Sequence, residues 1–466
     1  MNFMNNEDVI AALATPLGEG GIAIVRMSGN DSEKIITKIF KPRNKKLTEL
    51  KSHVQYLGNI INPESNQVVD EVLVSIMRAP RSFTAEDVVE IYTHGGVVVA
   101  RKVLELLISL GARIAEPGEF TKRAFLNGRI DLSQAESVID VIRAKTDKGL
   151  GLALKQLQGE LSNKITELRS VLLEILAHIE AEIDFPDEDI EMLSIDDIRE
   201  KLKSVHEEVK NLIAESDRGK IYREGINVVI IGRPNVGKSS LLNALLREKR
   251  AIVTDIPGTT RDIIEEYINI GGIPVKIVDT AGIRDTLDEV EKIGVEKSKQ
   301  SLQEADLILF VLDASEGITE DDQQLLTYLN EMAKQTLIII NKVDLDNVKI
   351  DKNDVEKISN VDKVLEISAK ERTGLDLLEK TVEEMVFQGE VNAQENIIVT
   401  RARHRQAFIE VLKSIEEALH TLDSGMTGEF LSIDVKSAWE NLGKITGETV
   451  EEDVLDKIFS EFCIGK

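Results

Sequence analysis

The 466-residue sequence predicts a multidomain protein that combines α/β and all-α parts, and three observations lead to this prediction. Short apolar strands and turn signals alternate up to about residue 125. Two regions with apolar residues at the three-four spacing of helices flank the centre of the chain. Between them, a Gly-rich loop joins an apolar strand to a helix. We therefore expect an N-terminal α/β domain and a discontinuous helical domain that is interrupted by an inserted P-loop domain.

The first domain is expected to span residues 1–125. Apolar runs at 22–26, 72–77 and 88–92 have the length of strands, and residues 96–110 carry the periodicity of a helix. Gly and Pro residues separate these segments, as is typical of turns. We therefore interpret this region as mixed α/β.

Two stretches, 126–222 and 389–466, carry the helical pattern. Pro186 ends the first stripe, and a second helix begins at Ser194, where Asp197 completes a capping-box pattern. We expect Thr449 and Glu452 to cap the last helix in the same way. The two main apolar stripes consist of Leu161, Ile165, Leu168, Leu172, Ile175, Ile179 and Ile183 in the first half, and of Phe408, Val411, Leu412, Ile415, Leu419 and Leu422 in the second.

Neither helical half contains enough apolar surface to bury its own stripe. This favours one helical domain with residues 223–388 inserted into it, and the rival arrangement is two separate bundles or coiled coils. An inserted domain is tethered to the same body at both ends, so a rearrangement within it can move helices on either side.

Residues 232–239 read Gly-Arg-Pro-Asn-Val-Gly-Lys-Ser and fit the phosphate-binding pattern Gly-x-x-x-x-Gly-Lys-Ser. The glycines let the backbone curl so that several N–H groups face one anion, and the helix that follows adds its partial positive charge. We expect Lys238 to reach the outer phosphates and the Ser239 hydroxyl to bind Mg²⁺. The predicted phosphate-binding residues are Asn235, Val236, Gly237, Lys238, Ser239 and Ser240.

Three later motifs, each at the end of an apolar strand, narrow the nucleotide to GTP. Asp344 can accept two N–H bonds from the edge of guanine, and adenine offers no such pair. Asp279 can hold the Mg²⁺ shell through water, and residues 368–370 can present backbone N–H to the guanine oxygen. The motif residues are Asp279, Thr280, Ala281, Gly282, Asn341, Lys342, Asp344, Ser368, Ala369 and Lys370. Residues 226–388 therefore resemble Ras-like, translation-factor-related GTPases.

A Gly- and Pro-marked loop lies between the phosphate loop and Asp279. Within it, Thr260 is expected to provide a second hydroxyl to Mg²⁺. Asn235, with oxygens from this loop, could bind a monovalent cation that neutralises charge near the phosphates. The predicted nucleotide-binding residues of the loop are Thr254, Asp255, Ile256, Pro257, Gly258, Thr259 and Thr260.

One position departs from the Ras-like pattern, because Ile283 stands where a water-orienting Gln is expected. An aliphatic side chain cannot orient water, so either hydrolysis is poor or another group does this work. The acidic cluster 285–291 is one source of such a group, and its alternative interpretation is a solvated surface run. Arg261 and Arg284 are arginine-finger candidates by proximity alone.

The composition restricts the classes of partner. Lys plus Arg number 57 and Asp plus Glu number 83, so the net charge of −26 argues against autonomous nucleic-acid binding and against membrane binding. No apolar run reaches transmembrane length, and the start of the chain lacks a signal-peptide pattern, so a cytoplasmic protein is expected. The single cysteine, Cys463, excludes an intramolecular disulfide, and we interpret it as a small buried residue.

Several longer motifs resemble those of the MnmE (TrmE) family of tRNA-modifying GTPases, and the resemblance runs from residue 14 to residue 466. These motifs are residues 462–466, Phe-Cys-Ile-Gly-Lys, and 117–127, Pro-Gly-Glu-Phe-Thr-Lys-Arg-Ala-Phe-Leu-Asn. The others are 83–87, Phe-Thr-Ala-Glu-Asp, 181–188, Ala-Glu-Ile-Asp-Phe-Pro-Asp-Glu, and 254–261, Thr-Asp-Ile-Pro-Gly-Thr-Thr-Arg.

The resemblance implies a GTP hydrolase that works with an FAD-dependent partner protein on the wobble uridine (U34) of certain tRNAs. Together they install an aminomethyl or carboxymethylaminomethyl group at carbon 5. The one-carbon unit comes from 5-formyl- or 5,10-methylene-tetrahydrofolate bound by the N-terminal domain, which also forms the homodimer. The GTPase domains pair transiently across K⁺, and this pairing activates hydrolysis.

The resemblance also assigns roles to single residues. It places the K⁺ contacts on Asn235, Thr254, Ile256 and Thr259, and the Mg²⁺ contacts on Ser239 and Thr260. The water-orienting carboxylate is Glu291, which together with Lys238 forms the expected catalytic pair. The folate contacts fall on Arg26, Glu90, Arg129 and Lys466. Position 129 is Arg where family members can carry Lys, so charge is kept while geometry differs.

Two other functions remain open at this point. The first is a regulatory GTPase switch of another class, for example in ribosome assembly, which would need no folate site. The second is a folate-binding scaffold whose GTPase domain is vestigial, which the complete set of guanine and phosphate motifs disfavours.

Overall fold

A computed structural model describes residues 8–46, 49–185, 193–249, 267–278, 301–332, 334–356, 363–387 and 399–466. Several predicted site residues lie outside this part of the chain, namely Thr254 to Thr260, Asp279 to Gly282, and Glu291.

The N-terminal domain is built on one twisted sheet of strands β1 (Ile10–Leu13), β2 (Gly20–Ser28), β3 (Phe40–Pro42), β4 (Gln55–Ile61), β5 (Val68–Met77), β6 (Val88–Gly95) and β7 (Arg113–Ile114). Among the described residues, the strand order is β3-β4-β5-β6-β2-β1-β7, and only β1 and β7 pair in parallel. Helices α1 (Ser32–Ile39) and α2 (Val97–Ser109) share one apolar core with the sheet. The three predicted strands and the predicted helix of this domain are confirmed.

The first helical half contains α3 (Glu119–Leu126), α4 (Leu132–Arg143), α5 (Asp147–Leu157), α6 (Glu160–Asp184) and α7 (Ile195–Glu224). Side-chain caps begin three of them: Asp131 caps α4, Thr146 caps α5, and Ser194 caps α7. At Ser194, the predicted capping box with Asp197 is present in full.

The inserted domain is a P-loop fold made of β8 (Ile226–Ile231), α8 (Lys238–Lys249), β9 (Tyr267–Ile270), β10 (Ile273–Val278), β11 (Leu307–Asp313), α9 (Glu320–Met332), β12 (Thr336–Asn341), α10 (Lys352–Glu356), β13 (Lys363–Glu366) and α11 (Leu375–Val386). In the described part of the chain, the strand order is β13-β12-β11-β8-β10-β9, with only β9 antiparallel. The carboxyl ends of the parallel strands therefore point to one edge, where α/β sheets bind ligands.

The chain then returns to the helical domain as α12 (Ala402–Asp423), α13 (Gly428–Thr446) and α14 (Glu452–Ser460). Helices α6, α7, α12 and α13 enclose a single core, to which each contributes a fully buried side chain: Leu172, Val209, Phe408 and Val435. The prediction of one helical domain interrupted by an insertion is thereby confirmed, and the predicted residue boundaries of the domains stay predictions. In the described ranges, no helix is long and apolar enough to span a membrane.

Two local predictions at the C-terminal end are wrong. The last helix begins at Glu452 behind Glu451, without a side-chain cap, because the Thr449 hydroxyl donates instead to the carbonyl of Glu440 at 3.1 Å. Cys463 is exposed rather than buried, because Phe459 and Phe462 fill the apolar contact with α3 and α4.

A buried ionic cluster joins α4 to α12 across the insertion. Glu136, 1% exposed, accepts hydrogen bonds from Arg403 at 2.9 and 3.0 Å and pairs with His404 at 2.7 Å. One turn further along α4, Asp140 accepts two bonds from Arg401. Burial alone would raise the pKa of Glu136, but His404 and Arg403 outweigh it and hold that pKa below its usual range. The carboxylate is therefore charged at neutral pH.

Removing this buried charge tests its role in joining the two halves. Glu136→Gln leaves the Arg403 guanidinium without its counter-ion, and we expect a loss of about 3 kcal/mol and a melting temperature lower by roughly 5 to 10 °C in scanning calorimetry. The matched control is Glu208→Gln, which removes an ion pair with Lys164. The side chain of Glu208 is 47% exposed. It should change the melting temperature by less than about 2 °C. Equal shifts for both variants would contradict a joining role.

Candidate functional site

The loop between β8 and α8 curls in a way that only glycine allows at two positions. Gly232 and Gly237 have φ values of 146° and 103°. A Cβ atom at Gly237 would lie 2.1 Å from Nδ2 of Asn341, and one at Gly232 would lie 2.3 Å from the carbonyl oxygen of Val311. The two glycines of the sequence pattern are therefore required both for the turn and for contact with neighbouring strands.

Lys238 is held over this loop by the loop itself. Its Nζ donates to the carbonyl oxygens of Gly232 at 2.6 Å and of Arg233 at 2.7 Å. Burial lowers the pKa of the ammonium group. A half-buried cation beside the N-terminus of α8 is placed to meet phosphate oxygens, which are stronger acceptors than carbonyls.

Asn341 connects the guanine-recognition motifs to the phosphate loop. Its side chain, 2% exposed, donates from Nδ2 to the carbonyl of Val236 at 2.9 Å and accepts from the backbone N–H of Ala369 at 3.0 Å. One buried amide thus connects three loops, and its partners Val236 and Ala369 lie 105 and 28 residues away from it in the sequence. The structure thus brings together one residue from each of three predicted motifs, Val236, Asn341 and Ala369.

Asp344 presents an exposed carboxylate at the same edge. The Ser368 hydroxyl donates to it at 2.6 Å, and this bond lowers the pKa of Asp344 below its ordinary value. The backbone N–H of Glu371 in turn donates to Ser368, which fixes the hydroxyl. The carboxylate is therefore charged and oriented, and it keeps acceptor sites for two N–H groups of a base.

Two contacts of the phosphate loop were missed by sequence reasoning. Lys342 donates to the carbonyl of Asn235 at 2.7 Å and to Asp313, at the end of β11, at 2.6 Å. Arg233, which occupies a variable position of the motif, bonds with Nε to both carboxylate oxygens of the fully buried Asp322. The spacing of Thr319 and Asp322 is a capping pattern that could have located the start of α9.

The predicted metal contacts can be placed only in part. Ser239 is exposed in the first turn of α8, and Asn235 has a left-handed backbone with φ of 63° and an exposed side chain. Both side chains are therefore accessible to a ligand from solvent. The other predicted Mg²⁺ and K⁺ contacts, and Glu291, lie outside the described residues, so these assignments stay predictions.

A second site forms in the N-terminal domain, where Arg26 on β2 lies opposite Glu90 on β6 in the sheet register. Nε of Arg26 donates to Glu90 at 2.8 Å, and the hydroxyl of Tyr92 donates to the other carboxylate oxygen at 2.6 Å. Arg26 also donates to the carbonyl of Gly465 at 3.3 Å. The last residues of the chain thereby close one side of this site.

Arg129 and Lys466 complete what we call the charged pocket, which consists of Arg26, Glu90, Arg129 and Lys466. The guanidinium groups of Arg129 and Arg26 lie 5.1 and 6.0 Å from the ring centre of Phe83. Arg129, Lys466 and Phe83 line a cavity of about 480 Å³. Burial, and then the charge of Arg26, lowers the pKa of Lys466. The structure thus brings all four predicted folate contacts together.

The charged pocket suits a ligand with both carboxylates and N–H donors. Arg and Lys side chains bind carboxylates, and a Glu carboxylate has acceptor sites beyond the two that Arg26 and Tyr92 use. Phe83 adds an aromatic face. These features are compatible with a folate, although the folate assignment itself stays a prediction.

Comparison with known proteins decides the family. The N-terminal part, residues 9–129, matches a family model described as GTP-binding protein TrmE N-terminus, and residues 132–463 match one described as MnmE helical domain. The chain belongs to the MnmE family. The resemblance inferred from the sequence motifs is confirmed.

Similarity to curated members of the MnmE family extends along the whole chain. A protein of Desulforamulus reducens named tRNA modification GTPase MnmE is 52% identical over 99% of this chain and 100% of its own length. A protein of the same name from Thermoanaerobacter pseudethanolicus is 52% identical over 98% of this chain and 99% of its own length. Among solved structures, the FeoB G-domain of Methanococcus jannaschii is 27% identical over 34% of this chain and 97% of its own, with a TM-score of 0.27.

The guanine preference of this MnmE-family chain can be tested at Asp344. Asp344→Asn replaces one accepting carboxylate oxygen by a donating NH₂ group, so GTP affinity should fall by about 100-fold or more, and xanthosine triphosphate should bind better than GTP. Titration of fluorescent nucleotide analogues measures both. The control Asp346→Asn alters an exposed carboxylate two residues away and should leave the affinity unchanged. Unaltered GTP binding in the Asp344 variant would show that another group recognises the base.

Proposed function

We propose that this member of the MnmE family, a GTPase that acts in tRNA modification, is activated by K⁺ and works with an FAD-dependent partner protein. Together they install an aminomethyl or carboxymethylaminomethyl group at carbon 5 of the wobble uridine (U34). A 5-formyl- or 5,10-methylene-tetrahydrofolate supplies the one-carbon unit. The protein acts in the cytoplasm as a homodimer within a hetero-oligomer that binds the tRNA.

One observation carries this proposal: a single chain contains both the guanine-nucleotide loops and the charged pocket. Lys238, Asn341 and Asp344 form the first site, and Arg26 and Lys466 belong to the second. A regulatory switch of another class would need only the first. The similarity of the whole chain to curated tRNA modification GTPases supports the same choice.

In the nucleotide site, we assign Lys238 to the outer phosphates and Ser239, Thr260 and, through water, Asp279 to Mg²⁺. Bound Mg²⁺ neutralises charge on the phosphates. The exposed side chain of Asn235 supports a K⁺ site. Lys342 donates to the backbone carbonyl of Asn235, so the side chain is the part of this residue that can bind a cation. The rest of that site is assigned to oxygens of Thr254, Ile256 and Thr259.

Glu291 is the proposed water-orienting group, since Ile283 cannot orient water. A Glu carboxylate can orient the attacking water through a second, intervening water. The glutamine of the Ras-like pattern needs no such intervening water. In this proposal, one residue of the acidic run 285–291 takes part in catalysis, and the run is not only a solvated surface.

The net charge of the chain supports the proposal that this protein and its partner bind different reactants. A protein of net charge −26 repels a polyanion over most of its surface. The FAD-dependent partner is therefore proposed to supply most of the tRNA-binding surface, and the reacting folate is held in the charged pocket of this chain.

The K⁺ requirement gives a direct test. GTP hydrolysis by the full-length protein should be at least about tenfold faster in KCl than in NaCl at the same ionic strength, because a bound cation stabilises charge that develops on the phosphates. Asn235→Gly removes the side chain while tolerating the left-handed backbone, and it should reduce the rate in KCl to the rate in NaCl. GTP affinity should stay nearly unchanged. Equal wild-type rates in both salts would exclude the K⁺ proposal.

Glu291→Ala should abolish turnover while GTP affinity changes less than about threefold, since the proposed role is confined to orienting water. A large loss of affinity would instead assign Glu291 to the structure of the nucleotide site.

The folate proposal is tested by calorimetric titration of the full-length protein with 5-formyl-tetrahydrofolate. Arg26→Gln should weaken binding by at least about tenfold, because it removes a charge-assisted contact and releases Glu90 from its ion pair. Arg101→Gln, which alters an exposed ion pair on α2, is the control and should bind like the wild type. Absence of heat with the wild type would favour a regulatory switch. Normal wobble-uridine nucleosides by mass spectrometry in a deletion strain would exclude the modification role.

A further inference from the structure

A surface groove of about 540 Å³ runs between α12 and α13, close to the turn that joins them. We call it the α12–α13 groove. Its apolar side is formed by Met426, Phe430 and Ile433, which are 54%, 56% and 62% exposed. None of the residues that line it belongs to the nucleotide loops or to the charged pocket.

The apolar residues of the groove are not part of the bundle core. Phe430 and Ile433 are spaced by three residues and lie on one face of α13, whereas Leu431 and Val435 are buried in the core on another. Helix α13 therefore has two apolar faces, of which the four-helix core uses one. A helix with apolar residues on two faces commonly packs against two partners.

Other large apolar side chains are exposed at the end of α6, which packs against the start of α13. A Cβ atom added to Gly428, at the start of α13, would lie 3.5 Å from Ile179 and 3.7 Å from Ile183. Ile183 and Phe185 at the end of α6 are themselves 39% and 51% exposed. In the groove itself, the three large exposed apolar side chains lie together, which is typical of a protein-interaction surface.

The opposite side of the groove is acidic. Glu416 and Glu417 extend from α12, and Asp434 extends from α13. Lys413 lies 3.9 Å from Glu417, and His206 lies 3.3 Å from Glu416. The lining contains three carboxylates, one lysine and His420, so its formal charge is −2 when histidine is counted as neutral. A groove with one apolar side and one acidic side selects the molecule that binds it by charge as well as by shape.

This charge disfavours three kinds of occupant. Nucleic acid and anionic membrane surfaces would meet carboxylates rather than Lys or Arg. The proposed homodimer is expected to form through the N-terminal domain, whereas at this groove a second copy of net charge −26 would meet the same acidic side. A symmetric contact would also place like charges opposite each other.

We propose that the α12–α13 groove binds a basic amphipathic helix of a partner protein. A helix fits between two packed helices when its apolar residues recur at intervals of three and four. Phe430 and Ile433 would receive this apolar stripe, and Lys or Arg on its flank would pair with Glu416 and Glu417. The proposal depends on neither the K⁺ site nor the folate site.

A peptide of about 18 residues provides the binding probe, with Leu at helical three-four spacing and Lys along both flanks. Fluorescence anisotropy with the full-length protein should show binding that weakens at least about tenfold in Phe430→Ala/Ile433→Ala and in Glu416→Gln/Glu417→Gln. The control Leu173→Ala alters a side chain on α6 that is 52% exposed and does not line the groove, and it should bind like the wild type.

The same peptide with Glu in place of Lys should not bind. Melting temperature and GTP hydrolysis should be unaltered in all variants, since the changed side chains are exposed and outside the nucleotide site. Equal affinity of the Lys peptide for every variant would show attraction to the general negative charge and would overturn the proposal. Absence of binding would overturn it as well.

Photo-crosslinking in cells identifies the natural occupant. Phe430 is replaced by p-benzoylphenylalanine in the full-length protein, and the crosslinked peptide is sequenced by mass spectrometry, with the same replacement at Leu173 as the control. The expected product is a peptide of another protein with an apolar helical stripe flanked by Lys or Arg. A crosslink to tRNA, to a second copy, or within this chain would overturn the proposal, and so would the absence of any product specific to position 430.

Discussion

The ionic cluster between α4 and α12 is the interaction on which the architecture depends. Glu136 is buried and charged, and a buried carboxylate is tolerated only when hydrogen bonds and counter-ions replace its water. Its partners Arg403 and His404 come from the other side of the inserted domain, 267 and 268 residues along the chain. The charge therefore forces the two halves of the helical domain to close together. Apolar packing of the bundle adds stability, but the ion pairs define which helices meet at this point.

This closure determines how the P-loop domain is attached. The chain leaves the helical domain at Glu224, the last residue of α7, and returns near Arg401, whose ion pair with Asp140 belongs to the same cluster. The inserted domain also contacts α5 and its cap, through the Thr146 hydroxyl bonded to Gly272 and through Lys148 near Glu383. A shift of the nucleotide-binding loops can therefore be transmitted to helices on both sides. Helix α4, which carries Glu136 and Asp140, begins at Leu132, three residues after Arg129 of the charged pocket.

The charged pocket depends on a second closure, between the two ends of the chain. Ile464 bridges to Pro117, and Gly465 lies so close to the carbonyl of Leu13 that a Cβ atom would be 2.2 Å from it. This positions Lys466 beside Arg26. The N-terminal sheet, the last residues and α3 thus form one site, while the α12–α13 groove lies on a separate face of the bundle. The nucleotide loops, the charged pocket and the groove are thus three chemically different surfaces in the described part of the chain.

The sequence alone determined the elements whose signals are local. Periodicity predicts the strands that precede each nucleotide motif and the interrupted helical stripes. Short-range hydrogen bonding predicts the capping box at Ser194. Neighbouring residues decide both kinds of signal. Only the tertiary structure decided contacts between distant residues, such as Lys342 with Asp313, Arg26 with Glu90, and Glu136 with Arg403. It also overruled a local signal at Thr449, whose hydroxyl bonds to Glu440. The physical reason is that a hydrogen bond or ion pair forms where folding brings a partner within about 3 Å, and sequence spacing does not encode that distance.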